Sequence, residues 1–126
     1  MKILYVEDDE GSHQLMILVI EKTISGADIT VATSGEEALE KLQETQFDLI
    51  LTDNCMPGMT GVELTRRARA IGIQSMIVVH SSDDFEEETL EAGADDFLHK
   101  SLGAVDIVKK LSVLLEDRAG NADPGP

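Results

Sequence analysis

The sequence predicts an α/β domain: an open five-stranded parallel sheet with helices on both faces. Three observations predict it. Strand-like and helix-like stretches alternate five times along 126 residues, the pattern that builds parallel sheets through right-handed crossovers. The central strand run, Leu49 to Thr52, carries no charge, as a strand buried on both faces requires. Finally, Glu7-Asp8, Asp53, Ser81 and Lys100 each come directly after a strand run, and the carboxyl edge of an open α/β sheet is where ligands bind.

Ile3-Leu4-Tyr5-Val6 is a short buried strand that ends in Glu7-Asp8-Asp9-Glu10. From Gly11 to about Ile24 the chain reads as a helix, with Leu15, Leu18 and Val19 at three- and four-residue spacing, and Ser25-Gly26 stops it. Asp28 to Ala32 alternates like a strand. Ser34-Gly35-Glu36-Glu37 is a capping box for a helix with Ala38, Leu39 and Leu42 inward. The strand to Asp53 comes next, then a turn at Met56-Pro57-Gly58. Thr60-Gly61-Val62-Glu63 is a second capping box, for a helix carrying Leu64, Ala68 and Ile71. Met76 to His80 is an apolar strand ending in Ser81-Ser82. A short acidic segment, Asp83 to Ala92, stops at Gly93, and Asp95 to His99 is a last strand. A final helix from about Leu102 to Arg118 places Val105, Val108, Leu111, Leu114 and Leu115 on one side. The Pro/Gly-rich stretch 119–126 reads as a frayed, flexible tail after a single domain of residues 1–118. Because the first and third strands supply the carboxylates, they are expected to be neighbours at the switch point of a flavodoxin-like sheet of order 2-1-3-4-5.

Composition narrows the function. A net charge of -15 disfavours nucleic acid and anionic membranes, both of which need Lys and Arg, and suits a basic partner or a metal cation. One cysteine, Cys55, makes no internal disulfide and fits a reducing compartment. The first strand starts at once, and no apolar stretch reaches the roughly 18 residues of a membrane helix. A soluble cytoplasmic domain is expected.

The residues at the carboxyl edge define a chemistry. Carboxylates gathered in one place repel, and either protonate or bind a cation. Three of them with backbone carbonyls make a hard, oxygen-rich site that suits Mg²⁺. A lysine beside them offsets charge and can hold a phosphoryl oxygen, and a serine hydroxyl can donate to another. Those are the parts that phosphoryl transfer needs: a nucleophile, a metal, and donors for the equatorial oxygens.

Over residues 1–118 the chain resembles the receiver domain of bacterial two-component response regulators. The resemblance rests on Glu7-Asp8 after Ile3 to Val6, on Asp53-x-x-Met56-Pro57-x-x-x-Gly61, on Ser81-Ser82 after Ile77-Val78-Val79, and on Ala92-Gly93-Ala94-Asp95-Asp96-Phe97-Leu98-His99-Lys100. It implies that Asp53 accepts a phosphoryl group from a sensor histidine kinase or a histidine phosphotransfer protein, in support of an unidentified downstream protein target. It also implies Mg²⁺, or Mn²⁺ in its place, held by Asp8, Asp53 and the backbone carbonyl of Cys55, with Glu7 acting through water. Ser81 and Lys100 would contact the phosphoryl group, and Phe97 would be the aromatic that changes position. Asp9, Asn54 and Ser82 would surround this set. Such a domain is a phosphoacceptor that assists its own phosphorylation and dephosphorylation rather than an enzyme.

The chain departs from the family pattern in three places. Lys100 lies 19 residues after Ser81, roughly a helical turn fewer than usual, and the missing turn falls in the fourth helix. That segment carries six acids and no base, so Glu87, Glu88 and Glu91 repel at helical spacing. A short or mobile fourth helix is expected. Ser101 stands where the family has a cis proline; a cis bond before a non-proline residue costs about 3 kcal/mol, so a trans and looser lysine loop is expected. Ser81 replaces the commoner threonine and keeps the hydroxyl.

Other readings compete with this one. A flavin or nucleotide module needs a phosphate loop after the first strand, where this chain has four acids. An aspartyl phosphatase wants Asp-x-Asp there, and the chain has Glu7-Asp8-Asp9. The main alternative is a pseudo-receiver, an interaction module independent of phosphate. Whether the chain is a stand-alone, chemotaxis-regulator-like receiver or a piece of a longer regulator is open on sequence. Cys55 reads as a small packing residue, His13 as a helix-surface residue, His80 and His99 as partly buried strand residues. Met16, Met56, Met59 and Met76 read as fillers of core and loop gaps.

Overall fold

A computed structural model describes the backbone of residues 1–122 and the side chains of 1–118. Five strands, β1 (Lys2–Val6), β2 (Asp28–Ala32), β3 (Leu49–Asp53), β4 (Met76–Ser81) and β5 (Asp96–His99), alternate with five helices. The helices are α1 (Glu10–Thr23), α2 (Gly35–Glu44), α3 (Gly61–Ala70), α4 (Glu86–Glu91) and α5 (Ala104–Ala122). The sheet is parallel throughout, in the order β2-β1-β3-β4-β5. The predicted fold class is the observed one.

Strand alternation sorts the core into two layers. Ile3 and Tyr5 of β1, Leu49 and Leu51 of β3, Met76 and Val78 of β4 and Leu98 of β5 face Met16, Ile20 and Ile24 on one side, with Ile107, Val108 and Leu111 of α5. Leu4, Val6, Ile50, Ile77 and Val79 face the other side, against Ala38 and Leu42 of α2 and Leu64 and Ala68 of α3. All four methionines expected to fill gaps are buried.

The helix starts obey the predicted capping chemistry only in part. Ser34 and Thr60 accept hydrogen bonds from the amides of Glu37 and Glu63 at 3.1 Å. Glu37 reaches back to the amide and hydroxyl of Thr33. Glu63 instead turns to Arg66 and Arg67, so the second box closes on one side only.

Three helix faces differ from the predicted ones. On α1, Leu15 and Leu18 are 61% and 48% exposed, while Met16 and Ile20 point inward. Residues 15–20 are all apolar, so several stripes can be drawn through them, and packing against α5 selects one. On α5, Ile107 is buried and Val105 is exposed; α5 begins at Ala104 rather than Leu102. Ile71 is exposed because α3 ends one residue before it. At the carboxyl end, α5 continues to Ala122, past the predicted end at Arg118; the rest of the expected tail, 123–126, lies outside the described residues.

The fourth helix is short, as predicted: six residues, no side-chain cap, and three acids in its first turn. Arg69 of α3 anchors the turn between α4 and β5. Its guanidinium donates to the carbonyls of Gly93 (2.9 Å), Ile73 (2.7 Å) and Ser75 (2.9 Å) and pairs with Asp95 at 3.1 Å. The peptide between Lys100 and Ser101 is trans, since no cis bond occurs among the described residues. No helix among the described residues is long and apolar enough to cross a membrane.

Candidate functional site

The register brings the polar strand ends to one edge. Asp53 on β3 is the partner of His80 on β4, and Ser81 is the partner of His99 on β5. Alternation then assigns faces. Glu7, Asp53, His80 and Lys100 continue the face of Tyr5, Leu51, Val78 and Leu98; Ser81 and Phe97 continue the opposite one.

Asp53 is 3% exposed. Its Oδ1 accepts a hydrogen bond from the Cys55 amide at 3.2 Å, and its Oδ2 lies 3.0 Å from Lys100 Nζ. The same ammonium lies 3.7 Å from Glu7 Oε1, so one cation serves two buried carboxylates. Asp8 is exposed beside them. Glu7, Asp8 and Asp53 each offer an oxygen, all within 4.8 Å of one another. Burial, then a hydrogen bond with Asp53 and its charge, pushes the Glu7 carboxyl up to about 7, against the pull of Lys100. Burial lowers the Lys100 ammonium, but the hydrogen bond and charge of Asp53, with Glu7, outweigh it and hold the group above the ordinary lysine value. One lysine among three acids leaves an excess of negative charge. Hard carboxylate oxygens at this spacing suit Mg²⁺.

The loop after β3 is held by Asn54, which is 4% exposed. Its side-chain oxygen accepts from Val62 N at 3.0 Å, and its carbonyl accepts from the amides of Met56 and Gly61. Gly61 is required here, because a Cβ would lie 2.5 Å from the Asp53 carbonyl oxygen. Gly58, at φ +80, turns the chain where a side chain would be strained.

The remaining predicted residues have other partners. Asp9 caps α1, accepting from Gly11 N and Ser12 Oγ at 3.0 Å. Ser81 is fully buried, and its Oγ accepts from Asp83 N at 3.1 Å and lies 3.8 Å from the Cys55 thiol. Ser82 is exposed. Phe97 is half-buried against the α2–α3 layer.

Three minor expectations are corrected. Cys55 is exposed, with its thiol 3.8 Å from Ser81 Oγ and 3.9 Å from Asp83, because the turn after β3 swings it over the sheet edge. His13 is not a free surface residue: its Nε2 lies 2.7 Å from the Glu7 carbonyl oxygen, and its ring meets the edge of Tyr5. His99 is exposed on edge strand β5, its Nδ1 accepting from Ser101 N, whereas His80 is 3% exposed.

Residues 3–112 match the family model of the response regulator receiver domain. The chain belongs to that family. This receiver, a module of two-component signalling, is 40% identical over 122 residues to the two-component response regulator ARR22 of Arabidopsis thaliana, covering 92% of this chain and 84% of that protein. It is 34% identical over 120 residues to rice ORR41, covering 91% of each. With the sensory transduction protein RegX3 of Mycolicibacterium smegmatis it shares 30% identity, over 98% of this chain but 54% of that protein. The receiver thus spans about half the length of one relative and nearly all of another. Among solved structures, the receiver domain of the Francisella response regulator 1452 superposes with a TM-score of 0.83 at 28% identity, covering 93% of this chain and 98% of that one. A CheY-like receiver from Methanospirillum hungatei gives 0.84 at 25% identity, covering 95% and 97%. Receivers hold Mg²⁺ in an acidic pocket and work with histidine kinases or phosphotransfer proteins; the acid group here is compatible with that metal.

Proposed function

We propose that this receiver takes a phosphoryl group from a phosphohistidine donor, kinase or phosphotransfer protein, onto Asp53 and thereby switches a protein-interaction surface. The observation that supports it most is the single Lys100 ammonium shared between the buried Asp53 and Glu7. In the step, an Asp53 oxygen attacks phosphorus, the phosphorus–nitrogen bond breaks, and the donor imidazole leaves with the electron pair. The backbone amide of Cys55 and the Lys100 ammonium orient the Asp53 carboxylate for that attack.

Asp8, Asp53 and the Cys55 carbonyl would hold Mg²⁺ directly, and Glu7 through water. When bound, Mg²⁺ neutralises charge gathering on the phosphoryl oxygens. Afterwards Lys100 shifts to a phosphoryl oxygen, and the Ser81 hydroxyl donates to another. The backbone around Ser81 and Phe97 is then biased toward a second arrangement. The domain assists the transfer and the later hydrolysis and is not otherwise an enzyme; the reading places it in the cytoplasm, away from nucleic acid and membrane.

The test is incubation with acetyl phosphate and Mg²⁺, then intact-mass measurement. The expected result is one base-labile phosphoryl adduct, absent from Asp53→Asn. An identical adduct on the variant would move the acceptor elsewhere.

A further inference from the structure

Among the described residues, buried side-chain atoms without a hydrogen-bond partner lie on His80, Thr89 and Arg118. His80 alone stands beside the phosphoacceptor. It is the register partner of Asp53 on the adjacent strand, with its side chain on the same face of the sheet. β3 and β4 pair in parallel, and neighbouring strands lie about 5 Å apart, a gap that an imidazole and a carboxylate on the same face span together. The ring is 3% exposed, yet neither Nδ1 nor Nε2 is engaged. It lies 6.5 Å from the ring of Tyr5 on β1. Its own carbonyl accepts from Asn54 N at 3.1 Å, which fixes β4 against the residue after Asp53.

A buried polar group with no partner destabilises a fold. On the same strand face Met76 and Val78 do the equivalent packing with apolar side chains, so packing alone gives no reason for a histidine. A neutral imidazole always keeps one N–H to donate. Burial first, and then the charge of Lys100, lower the ring's proton affinity, with Asp53 opposing.

Resting on the phosphoacceptor reading, we propose that His80 is a positioning residue for Asp53, a donor held in reserve. In the unphosphorylated site Lys100 covers Oδ2 of Asp53. Once Lys100 moves to a phosphoryl oxygen, the buried acyl oxygen of Asp53 loses a donor, and the His80 N–H takes its place. No bond is made or broken by His80. It stabilises the acyl phosphate and fixes its orientation without touching the incoming phosphoryl group.

The test titrates beryllofluoride, an acyl-phosphate mimic, into the Mg²⁺-saturated wild type, His80→Leu and His80→Gln, while NMR tracks the imidazole nitrogens of the wild type. His80→Leu should melt at a higher temperature and bind Mg²⁺ as before, but bind beryllofluoride about five- to tenfold more weakly, the worth of one hydrogen bond. His80→Gln, which keeps a donor, should recover most of that loss. In the wild type one imidazole N–H should become protected from exchange on binding. Equal beryllofluoride affinity in wild type and His80→Leu, or an imidazole spectrum unchanged by saturation, would overturn the inference even if the leucine variant folded poorly. Failure of the wild type itself to bind beryllofluoride would bring down the phosphoacceptor reading and this inference with it.

Discussion

Lys100 and Asp53 lie on strand ends separated by the whole width of β4, and their side chains meet at 3.0 Å. The contact closes the carboxyl edge of the sheet over a pocket whose other acids, Glu7 and Asp8, come from the end of β1. The lysine is a third exposed and its partners are 3–5% exposed at the side chain, so the cation is supplied from the solvent side to carboxylates that have little solvent of their own.

That arrangement sets a prediction for Lys100→Met. Without divalent cation, Glu7 and Asp53 lose their shared counter-ion, and stability at neutral pH should fall by about 1–3 kcal/mol, reduced from the fully buried case by solvent around the lysine. Mg²⁺ should restore more stability to the variant than it adds to the wild type, read as paired urea unfolding curves with and without the metal. Equal gains in both proteins would separate the metal site from the lysine.

Gly61→Ala tests the close approach at the start of α3. The new methyl carbon meets backbone, not a movable side chain, at 2.5 Å from the Asp53 carbonyl oxygen. The expected cost is about 2–3 kcal/mol, with amide shifts concentrated at Asp53 and Asn54. Gly103→Ala, where nothing lies within 4 Å, is the control and should be close to neutral.

His80 predicts a pH dependence. Burial, with Lys100 adding and Asp53 opposing, pushes its imidazole from 6.5 down to about 4; Tyr5 and Asp53 are the other groups facing it. Below 6.5 the unfolded chain takes up a proton that the folded one refuses. The contribution of His80 is therefore complete above 6.5, declines as the pH falls toward 4, and is level below that. The difference in unfolding free energy between His80→Leu and wild type should widen, in favour of leucine, across that window. A constant difference from pH 7 to pH 4 would contradict it.

Arg69 should resist conservative replacement. Its fork serves three backbone carbonyls and Asp95, which a lysine cannot reproduce. Arg69→Lys and Arg69→Ala should each lose about 2–4 kcal/mol, and hydrogen exchange should quicken from α4 through Gly93. Exchange confined to α3 would show that the clamp does not govern α4.

Most of the fold was readable because parallel strands announce themselves. Runs such as Leu49–Leu51 and Met76–Val79 leave no other place to go than a doubly covered sheet. The meeting of Glu7, Asp53 and Lys100 was readable because each stands at the end of such a run; the Ser81 hydroxyl, on the other face of the sheet, meets Asp83 N and the Cys55 thiol instead. Helix faces were harder. The continuous apolar stretch 15–20 satisfies more than one stripe, and only the packing of α5 decides that Met16 goes in and Leu15 stays out. Accordingly Met16→Ala should cost about 2–4 kcal/mol and Leu15→Gln less than about 0.5. His80 and His13 were invisible as neighbours of the acids, since nothing local in the sequence tells a strand histidine which groups its ring will face. Arg69 reaches its partners across 24 residues or more at Gly93 and Asp95, beyond any periodicity.

The most direct measurement is backbone amide NMR of the Mg²⁺-loaded protein before and after saturation with beryllofluoride. The account predicts saturable shifts at Asp53 that extend to Ser81, Phe97, Lys100 and α4, and a silent Asp53→Asn variant. Mg²⁺ binding with no further response to beryllofluoride would contradict it and leave an acidic interaction module that works without phosphate.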